Sequence, residues 1–309
     1  MSNSDNQRNN FIDLIKFFAC IFITNSHCMY LNPLFKLGGG WGNAIFFAVS
    51  GFLLGGVTSN IRSWLLRRWN RLLPLTILMT IISLITYGIY QYSAYYHITR
   101  FWFVIAILIY YVPFYYVDRC NNGYVIGILL HILFYICIYM MSDKDTFFVE
   151  LGGLSFFKVY FYFIIMLMGG LVKRTIDKIK YPNPAWCVLT GGFGFIIWFF
   201  EYYNIKVLNR YFEWQFLIHF GMTIFGISVL VWALSINEKY SDWTIPKIIN
   251  LIASSTLEIY LVQITVIPVL NKLKYPLAII VFWVVALFGG VLLHYLYDKI
   301  LYKVGKRRK

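Results

Sequence analysis

Charged residues are scarce in this chain: they make up 13% of its 309 residues, whereas about 25% is usual for a soluble domain. The five cysteines are odd in number and have no CxxC spacing, so neither a disulfide framework nor a zinc site is indicated. A Walker loop, a GxSxG motif and a histidine–carboxylate metal pattern are also lacking. These absences leave phosphoryl transfer, serine hydrolysis and metal chemistry without support.

Hydrophobic residues, in contrast, make up 60% of the chain and recur in apolar stretches from end to end. Stretches of roughly 20 such residues cross a bilayer, and without the alternating pattern of a β-barrel they must be helices. We therefore predict an all-α, polytopic membrane bundle of about ten transmembrane helices, forming a single domain over residues 1–309. The predicted spans are 11–30, 40–58, 72–92, 101–117, 124–141, 155–172, 185–201, 213–236, 249–270 and 276–297.

The net charge of +14 is distributed in a way that indicates topology. The basic residues fall in loops and do not form a stripe with interleaved aromatic residues, so no nucleic-acid partner is expected. They concentrate in alternate loops and in the terminal KRRK, which by the positive-inside rule places both termini in the cytoplasm. The first apolar run lacks a small-residue cleavage site and is expected to be retained as a helix.

Two ionisable residues in the first predicted span, Lys16 and His27, share one helical face. Their separation of eleven residues is about 20° beyond three full turns and about 16 Å along the axis, and Cys20 and Thr24 fall on the same stripe. Ionisable groups in a span are costly and indicate function by default. The stripe suits a ligand that is anionic at one end and reactive at the other. The structural alternative is that Lys16 pairs with Asp13 and that His27 is a hydrogen-bonded interior residue.

An arginine cluster precedes the third predicted span, and Arg68 and Arg71 in it lie one helical turn apart. Guanidinium groups bind phosphate oxygens bidentately, so the pair predicts an anion site. An excess of arginine in an inner loop would explain the cluster equally well. By the predicted topology, however, it shares one membrane face with Lys16.

Other polar features of the predicted spans are less specific. The segment Gly38–Gly56 is rich in glycine, which close helix packing explains. Glu258 is a carboxylate within a span, where it would pair with a cation, orient an imidazole or bind a sugar hydroxyl. The remaining histidines are predicted to be structural: His97, His131, His219 and His294.

Four motifs in order resemble the acyltransferase 3 family of membrane acyltransferases, which includes bacterial O-acetyltransferases of cell-surface sugars. Lys16 and His27 match its basic residue, ten positions and histidine. The segment Phe46–Phe52 matches FFxxSGF, the segment Arg68–Pro74 matches RxxR followed by L-P, and Ser255–Gln263 is similar to a late SxxxYLxH pattern. Two positions differ: Asn43-Ala44-Ile45 replaces an acid that often precedes FF, and Gln263 replaces the late histidine.

The resemblance implies a function in polysaccharide O-acetylation at the cell membrane, in a bacterial inner or plasma membrane. The donor would be cytoplasmic acyl-CoA, usually acetyl-CoA, and the acceptor a hydroxyl of a glycan or lipid-linked sugar, with membrane lipids as surroundings and no metal. We expect Lys16, Arg68 and Arg71 to hold the CoA phosphates. His27, with an ordinary pKa of about 6.5, would be the general base. Substrate contacts, or support for them, are expected from Ser50, Trp102, Glu258 and Tyr260.

Three alternatives stay open at this point. A covalent acyl-histidine is a variant of the same mechanism. A polytopic transporter or flippase of a glycan or lipid precursor would also carry intramembrane charges, although it predicts two related halves, which the sequence does not show. A membrane scaffold or sensor without catalysis would not need the stripe of Lys16 and His27.

Overall fold

The computed structural model of the chain describes residues 10–28, 38–87, 100–150, 155–176, 181–240, 243–270 and 273–307. All regular structure in these residues is helical, which confirms the all-α class. A 3-10 turn spans Phe212–Trp214. The described chain forms eleven α-helices: α1 (Asn10–His27), α2 (Gly39–Leu54), α3 (Ile61–Tyr87), α4 (Trp102–Arg119), α5 (Gly123–Met141), α6 (Phe156–Ile176), α7 (Pro184–Lys206), α8 (Phe216–Lys239), α9 (Lys247–Ser254), α10 (Thr256–Leu270) and α11 (Leu277–Arg307).

Seven helices of the described chain, α3 to α8 and α11, are long and apolar enough to cross a membrane. The helices α9 and α10 meet at a bend of 67° and make an eighth span if the pair is counted as one. The predicted number of about ten is therefore not confirmed, because α1 carries Asp13, Lys16 and polar ends and α2 has only 16 residues. Outward leucines such as Leu129, 61% exposed, suit contact with lipid. The cytoplasmic location of the termini stays a prediction.

The boundaries of the third and ninth predicted spans differ from those of the helices in the structure. Helix α3 begins at Ile61 rather than at residue 72, because the arginine-rich segment is itself helical and its start is capped. The side-chain oxygen of Asn60 accepts a hydrogen bond from the Ser63 amide at 2.9 Å. The ninth predicted span is interrupted at Ser255, where α9 ends and α10 begins.

Helix α2 lies in the interior of the bundle and packs against α1, α6 and α8. A Cβ atom at Gly51 would overlap the Met166 carbonyl oxygen, and one at Gly169 would overlap the carbonyl oxygen of Ala48. The backbones of α2 and α6 therefore touch at positions where only glycine fits. This agrees with the packing interpretation of the glycine-rich segment.

Contacts between helix ends define two ends of the bundle. The carboxylate of Asp118, at the end of α4, accepts hydrogen bonds from the amides of Gly56 and Val57 just after α2, at 3.1 and 2.7 Å. The start of α3 follows directly, and we call this side the arginine end. The opposite side, where α1 ends and α2 begins, is the histidine end.

Candidate functional site

A cavity of about 430 Å³ opens at the arginine end between α1, α2, α3, α4 and the bend between α9 and α10. Its volume lies in the range of small-molecule sites, ~300–1,000 Å³. We call it the arginine cavity. The side chains of its lining that can form hydrogen bonds are Lys16, Cys20, Thr24, Ser50, Arg67, Arg68, Arg71, Tyr111, Ser254, Thr256, Tyr260 and Gln263.

The polar stripe of α1 forms one wall of the arginine cavity. Lys16, Cys20 and Thr24, each four residues from the next, line it together, because residues at this spacing share one helical face. Lys16 also pairs with Asp13, with its Nζ 3.2 Å from Oδ1. This is the ion pair that was the structural alternative for Lys16. The Lys16 side chain remains 20% exposed, so its ammonium is accessible to a ligand while paired.

The mouth of the arginine cavity carries three guanidinium groups, those of Arg67, Arg68 and Arg71 on α3. Arg68 lies over the Trp64 ring, 4.7 Å from its centroid, and its buried Nε has no hydrogen-bond partner among the described residues. No carboxylate of the described chain lines this cavity. A buried N–H group without a hydrogen-bond partner costs about 1–3 kcal/mol of free energy. The mouth of the cavity therefore favours an anionic ligand whose oxygens accept hydrogen bonds from these groups.

His27, the last residue of α1, adjoins the opposite end of the arginine cavity from these cations. Its Nδ1 lies 2.9 Å from the Ile23 carbonyl oxygen and 3.3 Å from Nε2 of Gln263, which lines the cavity. When Nδ1 of His27 donates its proton to the Ile23 carbonyl, the other ring nitrogen, Nε2 of His27, is unprotonated and can act as a base. The buried Oε1 of Gln263 has no partner in the described part of the chain. The amide can thus still accept a hydrogen bond from a ligand.

The structure brings two of the four residues predicted around the substrates to the cavity. Ser50 and Tyr260 line it, and the Tyr260 ring packs edge-on against His27 with the ring centroids 6.1 Å apart. Trp102 is not part of the lining. Its ring instead lies beneath the Lys158 ammonium, whose nitrogen is 4.0 Å from the ring centroid.

Glu258, the fourth of these residues, is not part of the lining either and pairs with His294. Its Oε1 lies 3.1 Å from Nδ1 of His294, whose Nε2 is 3.4 Å from Asp298. One helical turn beyond His294, the Tyr297 hydroxyl donates to the Arg71 carbonyl at 3.3 Å. Glu258 therefore pairs with the imidazole of His294 and not with that of His27. This pair joins α10 to α11, and Tyr297 joins α11 to α3.

The other predicted structural histidines have polar partners within the protein where the structure describes them. Nδ1 of His131 lies 2.7 Å from the Gly127 carbonyl oxygen. Nε2 of His219 lies 3.3 Å from Oε1 of Glu150, a residue 69 positions earlier, which no local pattern could have indicated. His97 lies outside the described residues.

A second, smaller cavity of about 240 Å³ lies at the histidine end, and we call it the Glu150 cavity. Neither Glu150 nor its neighbour Lys158 is among the site residues predicted from the sequence. Lys158 falls in the predicted span 155–172, where an ionisable residue is itself a signal of function; Glu150 falls in a predicted loop and carries no such signal. Besides the backbone of Gly38–Gly40, the lining consists of Ser26, Phe147, Glu150, Trp198, Tyr202, Lys206, Ile218 and Met222.

Comparison with known proteins identifies the family. A family model described as an acyltransferase domain matches residues 9–298, which include both cavities and His27. No curated protein and no solved structure matches the chain at a significant level. Membership of this family implies acyltransferase activity in general. Since the match covers nearly the whole chain and the chain has several apolar helices, it belongs to the acyltransferase 3 family of multi-pass membrane proteins.

Proposed function

We propose that the protein transfers an acyl group, acetyl in the simplest case, from cytoplasmic acyl-CoA to a hydroxyl of a glycan or lipid-linked sugar at the cell membrane, with His27 as general base. One observation carries the proposal. The imidazole of His27 adjoins one end of a cavity whose opposite end carries Lys16 and a group of arginines and, among the described residues, no carboxylate.

The arginine cavity matches the two chemical halves of acyl-CoA. The nucleotide half is a polyanion, and Lys16, Arg68 and Arg71 supply charge-assisted hydrogen bonds to phosphate oxygens. The pantetheine arm is narrow, flexible and largely apolar, and it fits between walls that include Phe46 and Leu257. With its phosphates at the mouth, the arm directs the thioester along α1 toward His27.

The reaction balances with this chain's own groups. Nε2 of His27 takes the proton of the acceptor hydroxyl while the hydroxyl oxygen attacks the thioester carbonyl carbon. The tetrahedral intermediate collapses, the carbon–sulfur bond breaks, and the imidazolium returns the proton to the departing thiolate. The products are the O-acylated acceptor and free CoA. The Ile23 carbonyl oxygen accepts the Nδ1 proton and holds the ring in the orientation that this requires, and the Gln263 amide packs beside Nδ1.

The test is acyl transfer by purified protein reconstituted in liposomes, supplied with radiolabelled acetyl-CoA and an extract of surface and lipid-linked glycans. We expect labelled glycan from the wild type and a rate about 10²- to 10⁴-fold lower from His27→Ala, the usual contribution of a positioned base. The matched control is His131→Ala, since His131 lines neither cavity and contacts only its own helix and nearby rings.

Two outcomes would contradict the proposal: wild-type transfer by a correctly inserted His27→Ala protein, or no labelled glycan from the wild type. The same reaction run without acceptor separates the two forms of catalysis. Label retained on the protein after denaturation would identify an acyl-histidine intermediate, and its absence is expected of a general base.

A further inference from the structure

The Glu150 cavity and the arginine cavity both reach the last turn of α1. Ser26, the residue before His27, lines the Glu150 cavity, whereas Thr24 and Gln263 line the arginine cavity. The imidazole contacts Gln263 of the arginine cavity and follows Ser26 of the Glu150 cavity in the chain. A base in this position can receive a proton from a group held in one cavity while a thioester reaches it through the other.

The carboxylate of Glu150 is held firmly at the wall of this cavity. Its Oε1 lies 3.3 Å from Nε2 of His219, and the side chain is 17% exposed. The His219 ring stacks on Phe161, with centroids 3.8 Å apart, and its Nδ1 lies 2.9 Å from the Tyr135 hydroxyl. A carboxylate has about four acceptor positions, so the contacts with His219 and with the Tyr162 hydroxyl leave capacity for hydroxyl donors from a ligand.

Lys158 links this wall to the region of His27. Its ammonium lies over the Trp102 ring and interacts electrostatically with both the Glu150 carboxylate and the His27 imidazole. The cation lets a buried carboxylate remain ionised beside an apolar core, because a paired charge costs far less than an isolated one. Glu150 therefore remains an acceptor for hydroxyl groups.

The opposite wall of the Glu150 cavity is aromatic. The rings of Trp198 and Tyr202 on α7 stack with centroids 4.7 Å apart and an interplanar angle of 14°. Lys206, one turn further along, holds its ammonium 4.1 Å from the centroid of the Phe147 ring. The half-buried Tyr202 ring, supported by the buried Trp198 ring and close to a carboxylate and an ammonium, matches a sugar ring, which has apolar C–H faces and a rim of hydroxyl groups that donate and accept hydrogen bonds.

We propose that the Glu150 cavity is the acceptor subsite and that it binds a sugar ring. Glu150 accepts hydrogen bonds from the sugar hydroxyls, the Trp198–Tyr202 wall contacts the ring, and a neighbouring hydroxyl faces His27. This inference rests on the proposed acyl transfer and adds the place and the chemistry by which the acceptor is recognised.

The test measures sugar binding by the donor-free protein in nanodiscs, with methyl glucoside, methyl galactoside and N-acetylglucosamine as probes in saturation-transfer difference NMR. We expect at least one probe to bind, and its affinity to fall about tenfold in Glu150→Gln, which keeps the size of the side chain but removes the charge-assisted hydrogen bonds. Because Glu150 also contacts His219, Tyr202→Ala provides a second variant at the exposed wall, with a similar expected loss.

Tyr203→Ala is the matched control, since Tyr203 is the next residue on α7, stacks on Phe199 and does not line the cavity. Its sugar affinity should equal that of the wild type. Failure of all three probes to bind, or affinities unchanged in both Glu150→Gln and Tyr202→Ala, would overturn the inference.

The acyl-transfer assay distinguishes this failure from failure of the proposed function. If radiolabelled acetyl is transferred but the acceptor KM is unchanged in both variants, the subsite is wrong while the acyltransferase stands. If sugar binds and depends on Glu150 and Tyr202 while no transfer occurs, the subsite stands and the proposed function falls.

Discussion

The two cavities beside His27 are built from opposite chemistry. The arginine cavity has Lys16 and three arginines and no carboxylate in its described lining. The Glu150 cavity has one carboxylate, the aromatic Trp198–Tyr202 wall and the ammonium of Lys206. The first selects for negative charge, and the second offers directed hydrogen bonds and a flat apolar surface.

The two cavities also differ in how the chain assembles them. The cations of the arginine cavity come from single faces of α1 and α3, where neighbouring turns repeat the same contact. The Glu150 cavity gathers side chains from the end of α1, the segment after α5, and the helices α7 and α8. Charge attraction to a phosphate tolerates variation in distance, whereas hydrogen bonds to a hydroxyl require aligned partners. The cations of a donor site can thus come from single helical faces, whereas the hydrogen-bonding groups of an acceptor site must converge from several elements.

The largest effect that would sharpen this difference is expected from Arg68. Arg68→Ala should weaken CoA binding about ten- to a hundredfold, because charge-assisted hydrogen bonds to the phosphates are lost, and leave sugar binding within about twofold of wild type. Arg68→Lys should recover only part of the loss, since lysine has no Nε–H fork. Isothermal titration with CoA measures the first quantity.

Arg62→Ala is the control for charge alone, because Arg62 is exposed on the same helix and does not line the cavity. Since Arg68 also packs on Trp64, Arg71→Ala is a second variant that removes a cation from an exposed position. If CoA affinity were unchanged in both Arg68→Ala and Arg71→Ala, the arginines would not bind the donor. The proposed difference in ligand between the two cavities would then be wrong.

A smaller effect is expected at Gln263, which lines the arginine cavity and contacts His27. Gln263→Leu should lower kcat about three- to tenfold, because the imidazole loses the amide that packs beside its Nδ1, with KM for acyl-CoA changed by less than about twofold. Gln263→His, which restores a ring nitrogen near Nδ1 of His27, should recover part of the rate. Thr265→Val is the control, since Thr265 bonds only within α10. An increase in KM without a change in kcat would mean that Gln263 binds the donor instead of positioning His27.

The smallest effect comes from salt. Raising the ionic strength from about 0.1 M to about 1 M shortens the Debye length from about 10 Å to about 3 Å. CoA affinity should then fall about three- to fivefold, because Arg67 and Arg71 at the mouth are exposed, while sugar binding changes by less than about twofold. Parallel titrations of CoA and sugar measure both. Equal salt dependence of the two ligands would contradict the assignment of charge recognition to one cavity only.

Patterns within single helices were the part of the site that could be predicted. The spacing of Lys16 and His27 places them on one helical face, and the structure puts Lys16 at the cavity wall and His27 at its end. The contact between Gln263 and His27 joins residues 236 positions apart, and the pair of His219 with Glu150 joins residues 69 apart. Hydropathy could not detect either contact, because it depends on how the helices pack.

Hydropathy predicted about ten spans, whereas seven helices of the described chain, or eight with the bent pair, are long and apolar enough to cross a membrane. It does not distinguish a helix that crosses lipid from an apolar helix enclosed by other helices, and α2 is of the second kind, with its glycines against α6. Nor does it detect the break at Ser255, which lies within one predicted span and brings Ser254 and Thr256 to the arginine cavity.

By itself, the sequence determined that this protein is a helical membrane protein of the acyltransferase 3 family and which helical face carries His27, because composition and helical phase are properties of contiguous residues. Only the tertiary structure decided that His27 contacts the lining of the arginine cavity through Gln263 and that Glu150, Trp198 and Tyr202 line a second cavity. The reason is physical. A membrane helix forms its backbone hydrogen bonds within its own segment, so its formation is local. A cavity, in contrast, exists only where the side chains of several packed helices leave space between them.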